Sequence, residues 1–309
     1  MAVERAVGPP ELPRPKSSPV KKVLRAFRVG SALTLAKPLG TLGGLLILLL
    51  VLTALFAPAL APYDPLQIAA ADRLQPPSPR HLLGTDDFGR DILSRLIHGA
   101  RLSMLIGLGA VAISVLLGTI VGVTSGYYGG RLDAILQRGV DTLMAFPWLV
   151  LLLTIMAILG PGLENVILAL GVGGSAGNAR LVRSAVLAIK ESQYVEAARA
   201  LGCRDAQIIL RYILPNIAAP IMVVATLGLG VAILAESSLS FLGLGVPPPA
   251  PSWGGMLSGS GRTYMFKAPW MATFPGLAIS LAVFGFNMLG DALRDVLDPK
   301  LRGGMQGRV

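Results

Sequence analysis

Charge is what this sequence has least of. Asp, Glu, Lys and Arg make up 14% of 309 residues, where a soluble domain carries about a quarter. Cysteine is nearly missing too. Cys203 stands alone, which excludes a disulfide within the chain and any Cys-based zinc site. The two histidines, His81 and His98, have no Cys or Glu at ligand spacing. They read as a loop residue and a helix residue rather than as a nickel site. No G-x-x-x-x-G-K-S/T run occurs, so the chain lacks a phosphate-cradling loop and is not itself an ATPase.

What fills the chain instead is apolar: 53% of residues are hydrophobic and the mean hydropathy is +0.66. That places it among membrane proteins, with room for five or six spans of about 20 residues each. Residues 1–38 are rich in Pro, Lys and Arg and predict a flexible tail. The first apolar run, at 39–60, lies far from Met1 and is too long for a signal-peptide core, so it predicts a retained anchor. A Pro-rich polar loop follows, with an amphipathic piece at Ile92–Arg101, the two together covering 61–101. Further spans are expected at about 102–125, 140–159, 163–179, 217–234 and 271–289, the fourth being the least apolar. These form a five-helix core over 102–290, followed by a C-terminal tail, 291–309. Gly118, Gly122 and Gly126 recur at four-residue spacing in the second span, which lets a neighbouring helix approach closely.

Six spans put both termini on one side. Twenty of the 27 Lys and Arg residues then fall on that side and seven on the other. The positive-inside rule makes the richer side cytoplasmic. The net charge of +10 is thereby explained by anionic lipid rather than by nucleic acid.

Between the fourth and fifth spans lies a polar stretch, "EAARALGCRDAQIILRYILPN", Glu196–Asn216. Gly202 predicts a joint, Asp205 a cap for a second helix beginning at Ala206, and Pro215 a break where the fifth span starts. Ala197, Ala198 and Leu201 predict a small apolar face, flanked by Glu196 and Arg199. A helix–joint–helix elbow of this kind suits insertion into a groove on another protein. An ordinary amphipathic helix lying on the membrane surface fits the same spacing.

The same residues resemble the EAA loop of ABC importer permeases: Glu196, Ala197, Ala198, Gly202, Leu214 and Pro215 match, within a loop over 191–215. "HLLGTDDFGRDILSRLIHGARLSMLIG" (His81–Gly107), "ESSLSFLGLGVPPPAPSWGGML" (Glu236–Leu257) and "FNMLGDALRDVLDPKLR" (Phe286–Arg302) resemble the dipeptide/oligopeptide/nickel permeases. The last two are similar to the second permease of such a pair, the type with a long N-terminal tail. The resemblance covers about residues 40–302. It implies an all-α integral membrane fold of six spans, similar to type I importers, with a cytoplasmic coupling helix that docks into a partner ATPase. In that reading Glu196, Ala197, Ala198, Arg199, Leu201, Gly202 and Asp205 form the coupling site. The implied partners are a homologous permease in a heterodimer, two ABC ATPase subunits and an extracytoplasmic solute-binding protein, in an inner membrane. ATP and Mg would sit on the ATPases, with no cofactor or metal on this chain and no catalytic residue. The cargo implied is a dipeptide or oligopeptide; nickel chelates, glutathione and some sugars are carried by relatives. One departure is at Ser175 and Asn178, where relatives carry aromatics, which leaves local packing of the fourth span open.

Other candidates have plainer readings. "GVGGSA", from Gly171 to Ala176, fits a loose dinucleotide fingerprint, but inside a span it reads as a helix-packing surface. Asp86, Asp87, Arg90 and Asp91 read as an ion-pair network or a surface for a partner. Asp141 and Asp291 read as caps paired with Arg138 and Arg294. Glu236, next to Ser237 near a span end, reads as facing the translocation path or as bonding the following loop. Trp253, Tyr264 and Trp270 read as interfacial anchors or as shaping the outer mouth. An ATP-independent carrier would need internal repeats and intramembrane ion sites, and a scaffold would need no path; no clear repeat is present.

Overall fold

The computed structural model describes residues 38–297. The basic tail and residues 298–309 lie outside the described residues. Among those described, the elements are helical apart from one isolated bridge, Thr85–Asp91. The main helices are α1 (Pro38–Leu55), α2 (Ile92–Tyr128), α3 (Gly130–Ala145), α4 (Trp148–Leu159), α5 (Leu163–Lys190), α6 (Gln193–Ala200), α7 (Asp205–Ile208), α8 (Leu214–Phe241), α9 (Trp253–Leu257) and α10 (Trp270–Leu297). A π-helical turn, Ile209–Ile213, joins α7 to α8.

Four runs are long and apolar enough to cross a membrane: α1, α2, the continuous stretch Asp205–Phe241, and α10. The pair α3 and α4 makes a fifth, bent by 95°. Pro147 causes the bend, because it lacks an amide donor and drives the preceding Phe146 out of helical geometry. The straight span expected at 140–159 is therefore corrected to two arms. α5 has the length of a span, but Asn178, Arg180 and Arg183 make its second half polar. It packs on α2 more extensively than any other helix pair packs.

Two further expectations change. The amphipathic piece at 92–101 and the second span are one 37-residue helix. Asp91 caps that helix, accepting from Ser94 N and Ser94 Oγ at 2.8 Å. Pro215 does not break the chain. It sits in the first turn of α8, where its missing amide costs nothing, and the π turn ahead of it absorbs the local misfit.

Close backbone approach organises the bundle. A Cβ on Gly122 would lie 2.6 Å from Ala179 O on α5, and one on Gly126 2.9 Å from Val186 Cβ. The return surface on α5 uses the "GVGGSA" run: a Cβ on Gly171 would meet Ile113 Cγ2 at 2.6 Å. That run is mid-helix, without the strand a nucleotide fold needs. A second seam joins α1 to α10, where a Cβ on Gly43 would meet Met288 Cβ at 2.7 Å.

These distances predict a sharp contrast. Gly122→Leu forces α2 off α5, an overpacking cost of roughly 1–3 kcal/mol. Gly139→Ala on α3, with nothing within 4 Å of its Cβ, changes stability by at most about 1 kcal/mol, upward, through helix propensity. Thermal unfolding of the detergent-solubilised protein reads this out: the first midpoint falls and the second does not. Equal midpoints would refute the close seam.

Candidate functional site

The elbow begins where α5 ends. α6 covers Gln193–Ala200 and stops in a Schellman arrangement. Cys203 N donates to Ala198 O at 3.1 Å, and Gly202 N to Arg199 O at 2.9 Å. Gly202 adopts φ +78°, the left-handed region that residues with a Cβ avoid. No heavy atom lies within 4 Å of a Cβ placed there. Glycine is therefore required by the backbone angle and not by crowding. The second arm starts at Asp205, with Arg204 in the cap position and its amide donating to Gln207 Oε1 at 3.1 Å. This corrects the expected role of Asp205. It is the first helical residue, and its Oδ1 accepts from the Tyr127 hydroxyl at 2.6 Å instead of capping a helix.

The expected apolar face is also divided. Residues i and i+1 of a helix point about 100° apart, so Ala197 and Ala198 face different ways. Ala198 is 3% exposed and packs inward with Val195 against Val123, Tyr127, Val182, Val186, Ile208, Ile213 and Ile217. Facing outward are Ala197, Tyr194 at 43% exposed and Leu201 at 84% exposed. Positions 194, 197 and 201 share one helical face. Glu196, Arg199 and Gly202 are exposed beside them. The elbow thus has a buried sole of Val195 and Ala198 and a free apolar stripe of Tyr194, Ala197 and Leu201.

Beneath it, two buttresses tie α2, α3 and α5 together. Arg183 Nε and Nη2 donate to the two carboxylate oxygens of Asp133 at 2.7 and 2.5 Å, a bidentate geometry that charge strengthens. Ser125 Oγ also donates to Asp133 Oδ1, and Gln137 Nε2 donates to Ser125 Oγ at 2.8 Å. Asp141 pairs with Arg180 on α5 at 2.5 Å, not with Arg138. Sequence reasoning missed Tyr127, Asp133 and Arg183. Their partners lie 78 and 50 residues away, beyond any local pattern.

Farther along the bundle, α2, α4, α5 and α8 surround an open cleft of about 290 Å³. Ala110, Trp148, Leu170, Leu227 and Val231 line it, with Ser114 and Asn178 as its polar members. Asn178 Nδ2 donates to Ser114 Oγ at 2.8 Å, which accounts for the packing where an aromatic was expected. Glu236 and Ser237 do not reach this cleft. Glu236 is 0% exposed. It accepts from Ser240 Oγ at 2.7 Å and, weakly, from Ser237 Oγ at 3.4 Å. Ser252 Oγ stands 3.4 Å from Ser240 Oγ, extending this cluster to the loop before α9. Of the two readings of Glu236, the serine bonds are those of the one that turns it toward the following loop.

At the far end of the bundle from the elbow, charged residues hold the 61–91 loop. Arg90 Nε donates to Asp86 Oδ2 at 2.6 Å, Arg95 lies 3.7 Å from it, and His81 Nδ1 is 3.0 Å from Asp91 Oδ1. His98 bonds its own helix, at Ser94 O. Trp253, 2% exposed, and Trp270, partly buried, act as structural staples. Their indole nitrogens donate to Leu96 O at 2.9 Å and Thr85 O at 3.1 Å.

Comparison with known proteins agrees with this architecture. Residues 114–303 match the family "Binding-protein-dependent transport system inner membrane component". Residues 35–77 match the "N-terminal TM domain of oligopeptide transport permease C". The chain is 46% identical to the dipeptide transport system permease protein DppC of Alkalihalophilus pseudofirmus, over 85% of this chain and 86% of that one. It is 46% identical to the di/tripeptide transport system permease protein DppC of Pseudomonas aeruginosa, over 92% and 93%. With the glutathione transport system permease protein GsiD of Pectobacterium atrosepticum it shares 45%, over 84% and 86%. Among solved structures, the inward-facing MetNI methionine ABC transporter superposes with a TM-score of 0.56 at 21% identity, over 67% of this chain and 98% of that one; this likeness concerns the fold. The chain therefore belongs to the binding-protein-dependent family of ABC importer permeases, as a multi-pass membrane subunit of the dipeptide/oligopeptide/nickel type.

Proposed function

We propose that this chain forms one half of a peptide translocation path and that α6 is the handle by which a partner ATPase moves it. The observation that carries the reading is the elbow's double character: a rigid joint with its sole buried in the bundle and an unpartnered apolar stripe facing outward. Two ABC ATPase subunits hydrolyse ATP with Mg beneath the membrane, and each receives one elbow. A homologous permease completes the path, and a solute-binding protein delivers cargo from outside. Both termini are cytoplasmic, consistent with the distribution of Lys and Arg. This chain binds no cofactor and makes or breaks no covalent bond.

The path runs along the cleft between α2, α4, α5 and α8. Its wall is mainly apolar, and no charged side chain lines it. Such a wall lets a zwitterionic peptide pass without tight binding, leaving selection to the delivering protein. Dipeptides and tripeptides are the cargo that relatives at 46% identity support. Glutathione is the second reading, favoured by relatives at 45% identity. Uptake of labelled dipeptide against labelled glutathione, in proteoliposomes holding the cognate components, decides between them.

Two variants test the coupling role. Gly202→Val strains the left-handed joint by about 1–2 kcal/mol, enough to shift the seated elbow roughly five- to thirtyfold, while Gly202→Asn is tolerated there. Uptake per ATP hydrolysed falls for valine and survives for asparagine; unchanged uptake in the valine variant would sink the elbow reading. Leu201→Asp places a charge in the outward stripe. It weakens recovery of the ATPases with affinity-purified permease at least about fivefold, as loss of an interface anchor does. Equal recovery from wild type and variant would locate the docking surface elsewhere.

A further inference from the structure

Tyr127 lies in the last turn of α2, and its side chain reaches toward the elbow. The residue is 7% exposed. Its hydroxyl donates to Asp205 Oδ1 at 2.6 Å, and the Arg199 guanidinium lies over its ring, 5.4 Å from the centroid. Arg199 belongs to the first arm of the elbow and Asp205 to the second, with Gly202 between them. One side chain from a membrane helix therefore grips both arms across the joint. Val123, Val186, Val195, Ala198 and Ile208 pack as an apolar cluster under the elbow. Apolar contacts hold the elbow down but are non-directional. A hydrogen bond to a carboxylate fixes distance and angle. The backbone behind it is equally constrained: a Cβ on Gly126 would stand 2.9 Å from Val186 Cβ on α5, so a pull on Tyr127 passes into the α2–α5 seam.

We infer that Tyr127 is the positioning residue that transmits elbow displacement to α2, through its bond to Asp205 and its stacking with Arg199. The inference rests on the coupling role proposed for the elbow and adds the residue that connects it to the membrane helices. Tyr127 touches neither cargo nor nucleotide; it acts through the elbow.

The test uses the full complex, with its permease partner, ATPases and binding protein, in proteoliposomes. Tyr127→Phe keeps the ring and the Arg199 contact and removes only the hydroxyl. The ATPase rate stays near wild type, whereas uptake per ATP falls about tenfold, the change that losing one charge-assisted hydrogen bond produces. Asp205→Ala, which removes the acceptor, gives a loss of similar direction. The double variant is no worse than the more affected single variant, because both remove one interaction. Tyr128→Phe, at an exposed neighbour, keeps the wild-type ratio. Three results would overturn the inference: a wild-type ratio in Tyr127→Phe, losses that multiply in the double variant, or a loss that only tracks reduced complex assembly and thermal stability. A wild-type complex whose hydrolysis and uptake are themselves uncoupled would instead overturn the coupling reading.

Discussion

The seam between α2 and α5 is the contact on which the rest of the molecule depends. Lipid tails are as apolar as leucine, so helices in a bilayer gain little from hiding apolar surface against one another. Stability comes instead from close packing, and here small residues on both helices permit it. Gly118, Gly122 and Gly126 face Asn178, Ala179, Val182 and Val186, while Gly171 faces Ile113. α5 is polar enough that lipid alone would not hold it, and its Arg180 and Arg183 are answered by Asp141 and Asp133. The seam sets the two helices close together, and the Arg180 and Arg183 charges find their partners within the protein rather than in lipid.

Everything proposed about coupling is an extension of that seam. α5 runs directly into the elbow, and Tyr127 in the last turn of α2 bonds its second arm. The Schellman turn at Gly202 sets the angle between the two arms. From the second arm the chain continues without interruption through the π turn into α8, one wall of the cleft. In the proposed coupling, a displacement applied to the stripe of Tyr194, Ala197 and Leu201 reaches both sides of the cleft: through α2 and α5, and through α8. The bond between Asp91 and His81 and the two indole staples, at Leu96 and Thr85, hold the opposite end.

Much of this was legible in the sequence because it is local. Long apolar runs predict spans, four-residue glycine spacing predicts close packing, and the EAA stretch with Gly202 predicts a jointed elbow. What failed depends on where the chain returns to itself. Pro215 reads as a breaker in one dimension, but a preceding π turn places it where no amide is needed. Pro147 passes unnoticed inside an apolar run, yet it divides that run into two arms. Ala198 belongs to the motif as sequence but to the core as structure, since helical geometry turns it away from Ala197. Glu236 reads two ways in the sequence, toward the path or toward the following loop, and only the folded chain shows Ser240 and Ser252 gathered beside it. Tyr127, Asp133 and Arg183 carry no local signal, because each draws its meaning from a partner on another helix.

The central claim is that the elbow and the α2–α5 pair move as one body. Pulsed EPR tests it most directly, in a Cys203→Ser background with spin labels at Ala200→Cys on α6 and Ser184→Cys on α5, both at exposed positions. Measured in the assembled transporter, the interspin distance distribution is narrow and unchanged when a non-hydrolysable ATP analogue is added, even as distances across the cleft change. A distribution that broadens or shifts with nucleotide would mean that the elbow swings freely beneath the bundle, and the account would be wrong.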